Sequence, residues 1–201
     1  MNSLARSLAG SMICIVSITS AVSLATSRLA LTQEPAAITK PEAVPDNSHG
    51  FDYEAGSWKI HLKKRLNPLT GSNTWVDFDG TSVTRRLWDG RGSIEEFETD
   101  GHSGHIEGLT LRTYNPTTHL WSIYWANAAQ GYLGMPAMVG YFKDGRGEFY
   151  DQEDYNGRMI FVRFLWTDIT PTSAHFEQSF STDAGKTWEV NWITDQTRVK
   201  P

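Results

Sequence analysis

Cysteine is nearly absent from this 201-residue chain, and its first quarter has no aromatic residue at all. The single cysteine, Cys14, can form neither an intrachain disulfide nor a thiolate metal centre. Residues 1–50 hold no Phe, Trp or Tyr, whereas residues 51–201 hold all 24. Aromatic side chains supply much of a core's buried area, so a core is expected only beyond residue 50. Sustained helical periodicity is missing, which argues against a helical or α/β fold. The chain carries no phosphate loop, dinucleotide fingerprint or Gly-x-Ser-x-Gly elbow. These absences exclude the enzymes that announce themselves by motif. They leave open an enzyme whose site is assembled from scattered strands.

What is present divides the chain into three. Arg6 and the apolar run Leu8 to Leu24, ending in Ser23-Leu24-Ala25, read as a cleavable signal peptide over residues 1–25. Serines interrupt the run and Arg28 follows it, so it makes a poor membrane span. Cys14 would leave with it. Residues 26–50, with Pro35, Pro41 and Pro45 among Ala, Thr, Ser and charges, read as a disordered spacer. Residues 51–201 are the domain. Without Arg6, 17 basic residues face 23 acidic ones, a formal charge of −6. That excess disfavours nucleic acid or an anionic membrane as a partner. The chain is expected to be secreted or periplasmic, with no membrane contact after cleavage and an oligomeric state the sequence leaves open.

Within the domain, turn signals recur: Asp79-Gly80, Asp89-Gly90, Asp100-Gly101, Asn115-Pro116, Asp144-Gly145, Asn156-Gly157 and Asp183-Ala184-Gly185. Between them lie short segments rich in aromatic and β-branched residues. The spacing predicts strands at 56–65, 74–79, 81–88, 92–98, 106–114, 119–127, 136–142, 147–154, 158–167, 174–180 and 187–199, some of which can merge. The fold class is therefore all-β, an antiparallel up-and-down barrel of about 8–11 strands, since closure removes exposed edges. The longer connections, 66–73 and 128–135, are expected to frame its mouth.

The last stretch, Ser181 to Lys200, is the most informative. Asp183 and Gly185 suit a tight turn, and alternation places Trp188, Val190, Trp192 and Arg198 on one face of the strand that follows. An inward arginine needs a partner, and Gly56-Ser57-Trp58 is the candidate. Gly56-Ser57-Trp58 on a first strand with Arg198 on the last resembles the calycin (lipocalin-like) signature. In that superfamily the arginine packs across the tryptophan at the closed end of the barrel. The segments FDYEAGSWKIHLKKRLNPLTGSNTW, GRGEFYDQEDYNGR and STDAGKTWEVNW resemble a bacterial family of lipocalin-like domains without an assigned function. The resemblance covers residues 51–200 and implies an internal cavity, but it brings no catalytic residue. Ser181 to Trp188 also matches the sialidase Asp-box, which here occurs once, in a domain too short for a propeller. It is read as a structural turn.

Parity from Trp58 puts Trp121, Ile123 and Trp125 in one inward stripe and Ile160, Val162, Phe164 and Trp166 in another. Across Asn156-Gly157, Glu153 pairs with Ile160 and Asp151 with Val162, so both carboxylates face in if the Ile160–Trp166 stripe does. Across Asp89-Gly90, Arg85 pairs with Ile94 and Val83 with Glu96. The candidate ligand-binding set is then Arg85, Glu96, Trp125, Asp151, Glu153, Trp166, Gln178 and Trp192; the simpler reading makes its charges rim or solvent-face groups. Trp58, Arg198, Asp183, Gly185 and Trp188 are assigned structural roles. His102, His105 and Glu107 form a loop rather than a metal motif, and His61 and His175, conceivable haem ligands, fall on the outward parity. No cofactor and no metal is expected. Three functions remain open: an exported barrel binding a small, partly apolar molecule; a barrel isomerase or hydrolase with Glu96, Asp151 or Glu153 as general base; and a ligand-free structural or interaction module.

Overall fold

The structure, a computed structural model, describes residues 43–200. The signal peptide, Cys14 and most of the spacer expected from the sequence lie outside the described residues. Ten antiparallel strands form a closed barrel in which each strand pairs with its sequence neighbours and β1 closes on β10. They are β1 (Gly56–Arg65), β2 (Trp75–Leu87), β3 (Gly92–Gly101), β4 (Gly104–Asn115), β5 (Leu120–Asn127), β6 (Met138–Lys143), β7 (Arg146–Tyr155), β8 (Arg158–Thr167), β9 (Ser173–Ser181) and β10 (Glu189–Arg198). Among the described residues, no helix is long and apolar enough to cross a membrane.

One expected turn is absent. Asp79-Gly80 lies within β2, so the strands expected at 74–79 and 81–88 are one. A Cβ on Gly80 would lie 2.0 Å from the Glu98 carbonyl oxygen. This glycine lets two backbones approach where the sheet curves, instead of turning the chain.

Inward residues sort into two apolar clusters. On the wall of β1–β4, Trp58, Ile60, Leu62, Phe78, Phe97 and Ile106 are buried. On the wall of β5–β9 the centre is Trp121, Ile123, Phe149, Val162 and Trp166, joined by Phe51. Phe51 belongs to the segment entering β1, which folds under one end of the barrel through a short helical turn at Asp52–Glu54. Its ring meets Trp121, Phe142 and Trp166 edge to face, with centroids 5.1, 4.7 and 5.4 Å away.

This closing segment begins before residue 51. Asn47 donates to the His119 carbonyl at 2.8 Å and accepts from Trp121 Nε1 at 3.0 Å, and Tyr114 donates its hydroxyl to Asp46 at 2.7 Å. Residues 44–50, assigned to the spacer on composition, are thus part of the folded domain. Their contribution is polar, made through backbone and short side chains, and an aromatic count does not register it.

The closed end is fastened by Trp58 and Arg198, directly opposite in the β1–β10 register. The guanidinium lies over the indole with its carbon 4.2 Å from the ring centroid. It also donates to the backbone carbonyls of Tyr53, Ala55 (2.7 Å) and Pro171 (2.6 Å). Trp58 Nε1 donates to the Glu54 carbonyl at 2.7 Å. Gly56 is required here twice over: its φ is +118°, and a Cβ would sit 2.8 Å from an Arg198 nitrogen. The Gly-x-Trp…Arg pattern is therefore one steric and electrostatic unit.

Candidate functional site

Between the two apolar walls lies a cavity of about 770 Å³, within the range of small-molecule sites. Its mouth is at the end opposite Trp58 and Arg198. Gln130, Tyr132, Met135 and Pro136, from the β5–β6 connection, rim it on one side; Gln152, Asp154 and Met159, flanking the β7–β8 hairpin, rim the other. The 128–135 connection frames the mouth as expected. The 66–73 connection does not line the cavity; its Leu69 N–H donates to Glu189 at 2.7 Å.

Three tryptophans of the expected set, Trp125, Trp166 and Trp192, line the interior with Phe164 and Phe176. Trp125 lies across Gly108 of the neighbouring strand, where a Cβ would fall 2.1 Å from the indole. Any other residue at 108 would displace that ring. Trp192 is held by its Nε1, which donates to Thr194 Oγ1 at 2.9 Å.

The β7–β8 register pairs Glu153 with Ile160 and Asp151 with Val162, and both carboxylates line the cavity. Burial first, then the neighbouring Glu153 charge, pushes the Asp151 carboxyl from 3.8 up to about 7. Burial also pushes Glu153 up. Asp151 Oδ1 is buried with no hydrogen-bond partner, and among the described residues no cation forms an ion pair with either carboxylate. Gln178 lines the cavity too and donates to Asn191 at 2.7 Å.

Arg85 and Glu96 are elsewhere. Their strands pair as expected, Arg85 with Ile94 and Val83 with Glu96, but all four side chains face away from the cavity. Arg85 and Glu96 form a surface ion pair at 3.0 Å, their side chains 65% and 66% exposed. The inward residues of these strands are the alternate ones, Ser82, Thr84, Glu95 and Phe97. Outward apolar residues at 83, 94, 109 and 111 make the wrong face look like the core.

That inversion hid the largest buried charge cluster. Arg112 on β4 is 2% exposed, Glu95 on β3 4% and Glu54 of the closing segment 1%. Arg112 reaches Glu54 at 2.8 Å and Glu95 at 2.7 Å, and its guanidinium carbon lies 4.8 Å from the Phe51 ring centroid. Glu95 and Arg112 form part of the cavity's lining, with Glu54 joining them from the closing segment. Burial raises the Glu54 carboxyl to about 7 against the pull of Arg112, and the Glu95 charge adds to the rise. Carrying parity from Phe97 instead of Ile94 would have pointed to Glu95; Glu54 carries no periodic signal.

Trp188 also departs from its expected face. A β-bulge in β10 places one extra residue, Asn191, between Val190 and Trp192. Parity therefore reverses along the strand. Trp192 and Arg198 face in, while Trp188 lies outside under Arg163, whose guanidinium carbon is 4.7 Å from its ring, and beside Tyr150. The turn before it is built as its residues suggest. Asp183 accepts from the Thr187 N–H at 2.9 Å, the Thr187 hydroxyl at 2.7 Å and the Ser181 hydroxyl at 2.8 Å. Hydrogen bonds from Thr187 and Ser181 lower its carboxyl to about 2. Gly185 takes φ +80°.

The histidines sit on the outer surface. His61 pairs with Asp79 at 2.8 Å, His105 with Asp100 at 2.8 Å and His175 with Asp195 at 2.7 Å. Among the described residues, no group of three or more His, Cys, Asp or Glu is placed to hold a metal ion.

No family profile matches the chain, and no curated protein matches it. Among solved structures it is similar to an S-type phycobiliprotein lyase from Guillardia theta, with a TM-score of 0.54 and 12% identity over 76% of this chain and 92% of that one. At that identity the likeness concerns the fold: a calycin-like barrel, closed by ten antiparallel strands.

Proposed function

We propose that this is an exported lipocalin-like barrel, of the bacterial lipocalin-like domain family its segments resemble, which binds a small, partly apolar molecule. The observation that carries the reading is the cavity of about 770 Å³ walled by Trp125, Trp166 and Trp192. The aromatic walls supply buried contact area, and a few polar groups fix orientation. A barrel filled by its own tryptophans would have no such space, which weighs against a ligand-free module. Export rests on residues 1–25, and a mature mass beginning near Thr26 in the exported fraction is its test.

Titration with the neutral dye Nile red tests the cavity. Saturable binding at one dye per chain, with a blue-shifted emission, is expected; a non-saturating rise would count against it.

A second reading, a barrel isomerase or hydrolase, is favoured by one observation. Asp151, pushed up to about 7, is poised for proton transfer near neutral pH, where a general base works best. Glu96, on the outer surface, is no longer a candidate for that role. Loss of turnover in Asp151→Asn with ligand affinity retained would favour this reading over simple binding.

A further inference from the structure

We propose that the molecule the cavity takes is an organic cation: a protonated amine on an aromatic or alkyl body, with its ammonium group at Asp151 and Glu153. This rests on the cavity being a binding site. The charges set the sign. Four carboxylates, Glu54, Glu95, Asp151 and Glu153, point into the barrel. Among the described inward cations, Arg112 is committed to Glu54 and Glu95, Arg198 to Trp58 and three backbone carbonyls, and Lys64 to the Trp192 ring. Of the cations near the carboxylate strand, Arg163 lies over Trp188 on the outer face, Arg146 is 3.4 Å from Glu148, and Arg158 donates to the Thr182 carbonyl. Asp151 and Glu153 thus lie two residues apart on the inward face of one strand, with no positive partner among the described residues. A buried carboxylate in that state is costly, and an incoming ammonium relieves the cost.

A second, independent observation points to a hydrogen-bond donor on the ligand. Gln196 is only 7% exposed, lines the cavity two residues from Arg198, and leaves its side-chain oxygen without a hydrogen-bond partner. Asp151 and Glu153 near the mouth on β7 and Gln196 deep on β10 therefore offer acceptors to the space. Between them stand Trp125 and Trp166, whose faces attract cations through the ring quadrupole; the Trp192 ring already carries Lys64, whose Nζ lies 5.6 Å from its centroid. An anionic ligand would meet the wrong charge, and a neutral one would leave the acidic pair uncompensated.

The test uses three molecules with one body: tryptamine, its alcohol tryptophol and the anion indole-3-propionate, titrated calorimetrically at pH 8. Tryptamine is expected to bind at least about tenfold tighter than tryptophol, the scale of one desolvated charge contact, with the propionate weakest. Asp151→Asn with Glu153→Gln should bring tryptamine down to the tryptophol level. Both replacements keep side-chain volume and remove charge repulsion, and a melting curve confirms that the barrel is intact. 1-Methyltryptamine, which lacks the indole N–H, should bind more weakly than tryptamine to the native chain but not to Gln196→Met. Equal binding of the three molecules, or tightest binding of the propionate, overturns the cation and leaves the cavity reading standing. No binding of any of them with Nile red still bound does the same; failure of Nile red as well brings both down.

Discussion

At the closed end of the barrel, Arg112 meets Glu54 and Glu95 at 2.8 and 2.7 Å, and Arg198 donates to three carbonyls while covering Trp58. Toward the mouth, Asp151 and Glu153 line an aromatic-walled cavity and meet no cation among the described residues. Both regions place ionisable groups inside a small barrel, but only the first compensates them. Compensated charge is what a fold needs to hold itself together. Charge left uncompensated beside open space is a feature that stability alone does not explain, and it is the basis on which we propose binding in the upper half.

The sharpest way to break this contrast is to unpair the closed end. Arg112→Met would strand Glu54 and Glu95 in the interior, and a loss of about 3–5 kcal/mol is expected in urea unfolding. A loss below about 1 kcal/mol would show that the cluster does not hold the base. Arg198→Ala removes the charge-assisted bonds and the indole contact together, and about 2–4 kcal/mol should follow. Gly56→Ala should track it, because its Cβ would displace the same guanidinium.

The mouth should respond in the opposite direction. Asp151 is an acid whose carboxyl is raised from 3.8 to about 7 on folding, so between those values the folded state holds a proton that the unfolded state has lost. Its contribution is fully present below about pH 4 and is lost as pH rises through about 7. The empty protein should therefore melt higher at pH 5 than at pH 8. Asp151→Asn should flatten that slope and gain roughly 1–2 kcal/mol at pH 8, a figure reduced from the full shift because the group is only half-buried. The smallest effect belongs to Arg85→Ala. Its exposed pair with Glu96 should change stability by less than about 0.5 kcal/mol and leave Nile red binding untouched.

Much of this contrast was legible in the residues. Asn156-Gly157 fixes the β7–β8 register, and with it the inward placement of Asp151 and Glu153, because a tight hairpin leaves one pairing. Gly56, Trp58 and Arg198 mark the closed end because three constraints converge there. Two features were not legible. The bulge at Asn191 inserts one residue into an otherwise regular alternation, and nothing in the local sequence distinguishes it from a continuous strand. The β2–β4 wall presents aliphatic residues outward and Glu95 and Arg112 inward, so hydrophobic patterning names the wrong face. Only the docking of Glu54 from outside the sheet makes that arrangement affordable, and such a contact has no sequence periodicity.

The most direct test of a binding cavity is native mass spectrometry of the protein isolated without denaturation from the cells that make it. A reproducible small-molecule adduct, one per chain and lost when the barrel is unfolded, is expected. A bare polypeptide mass under native conditions, from a preparation that also fails to saturate with Nile red, would contradict it.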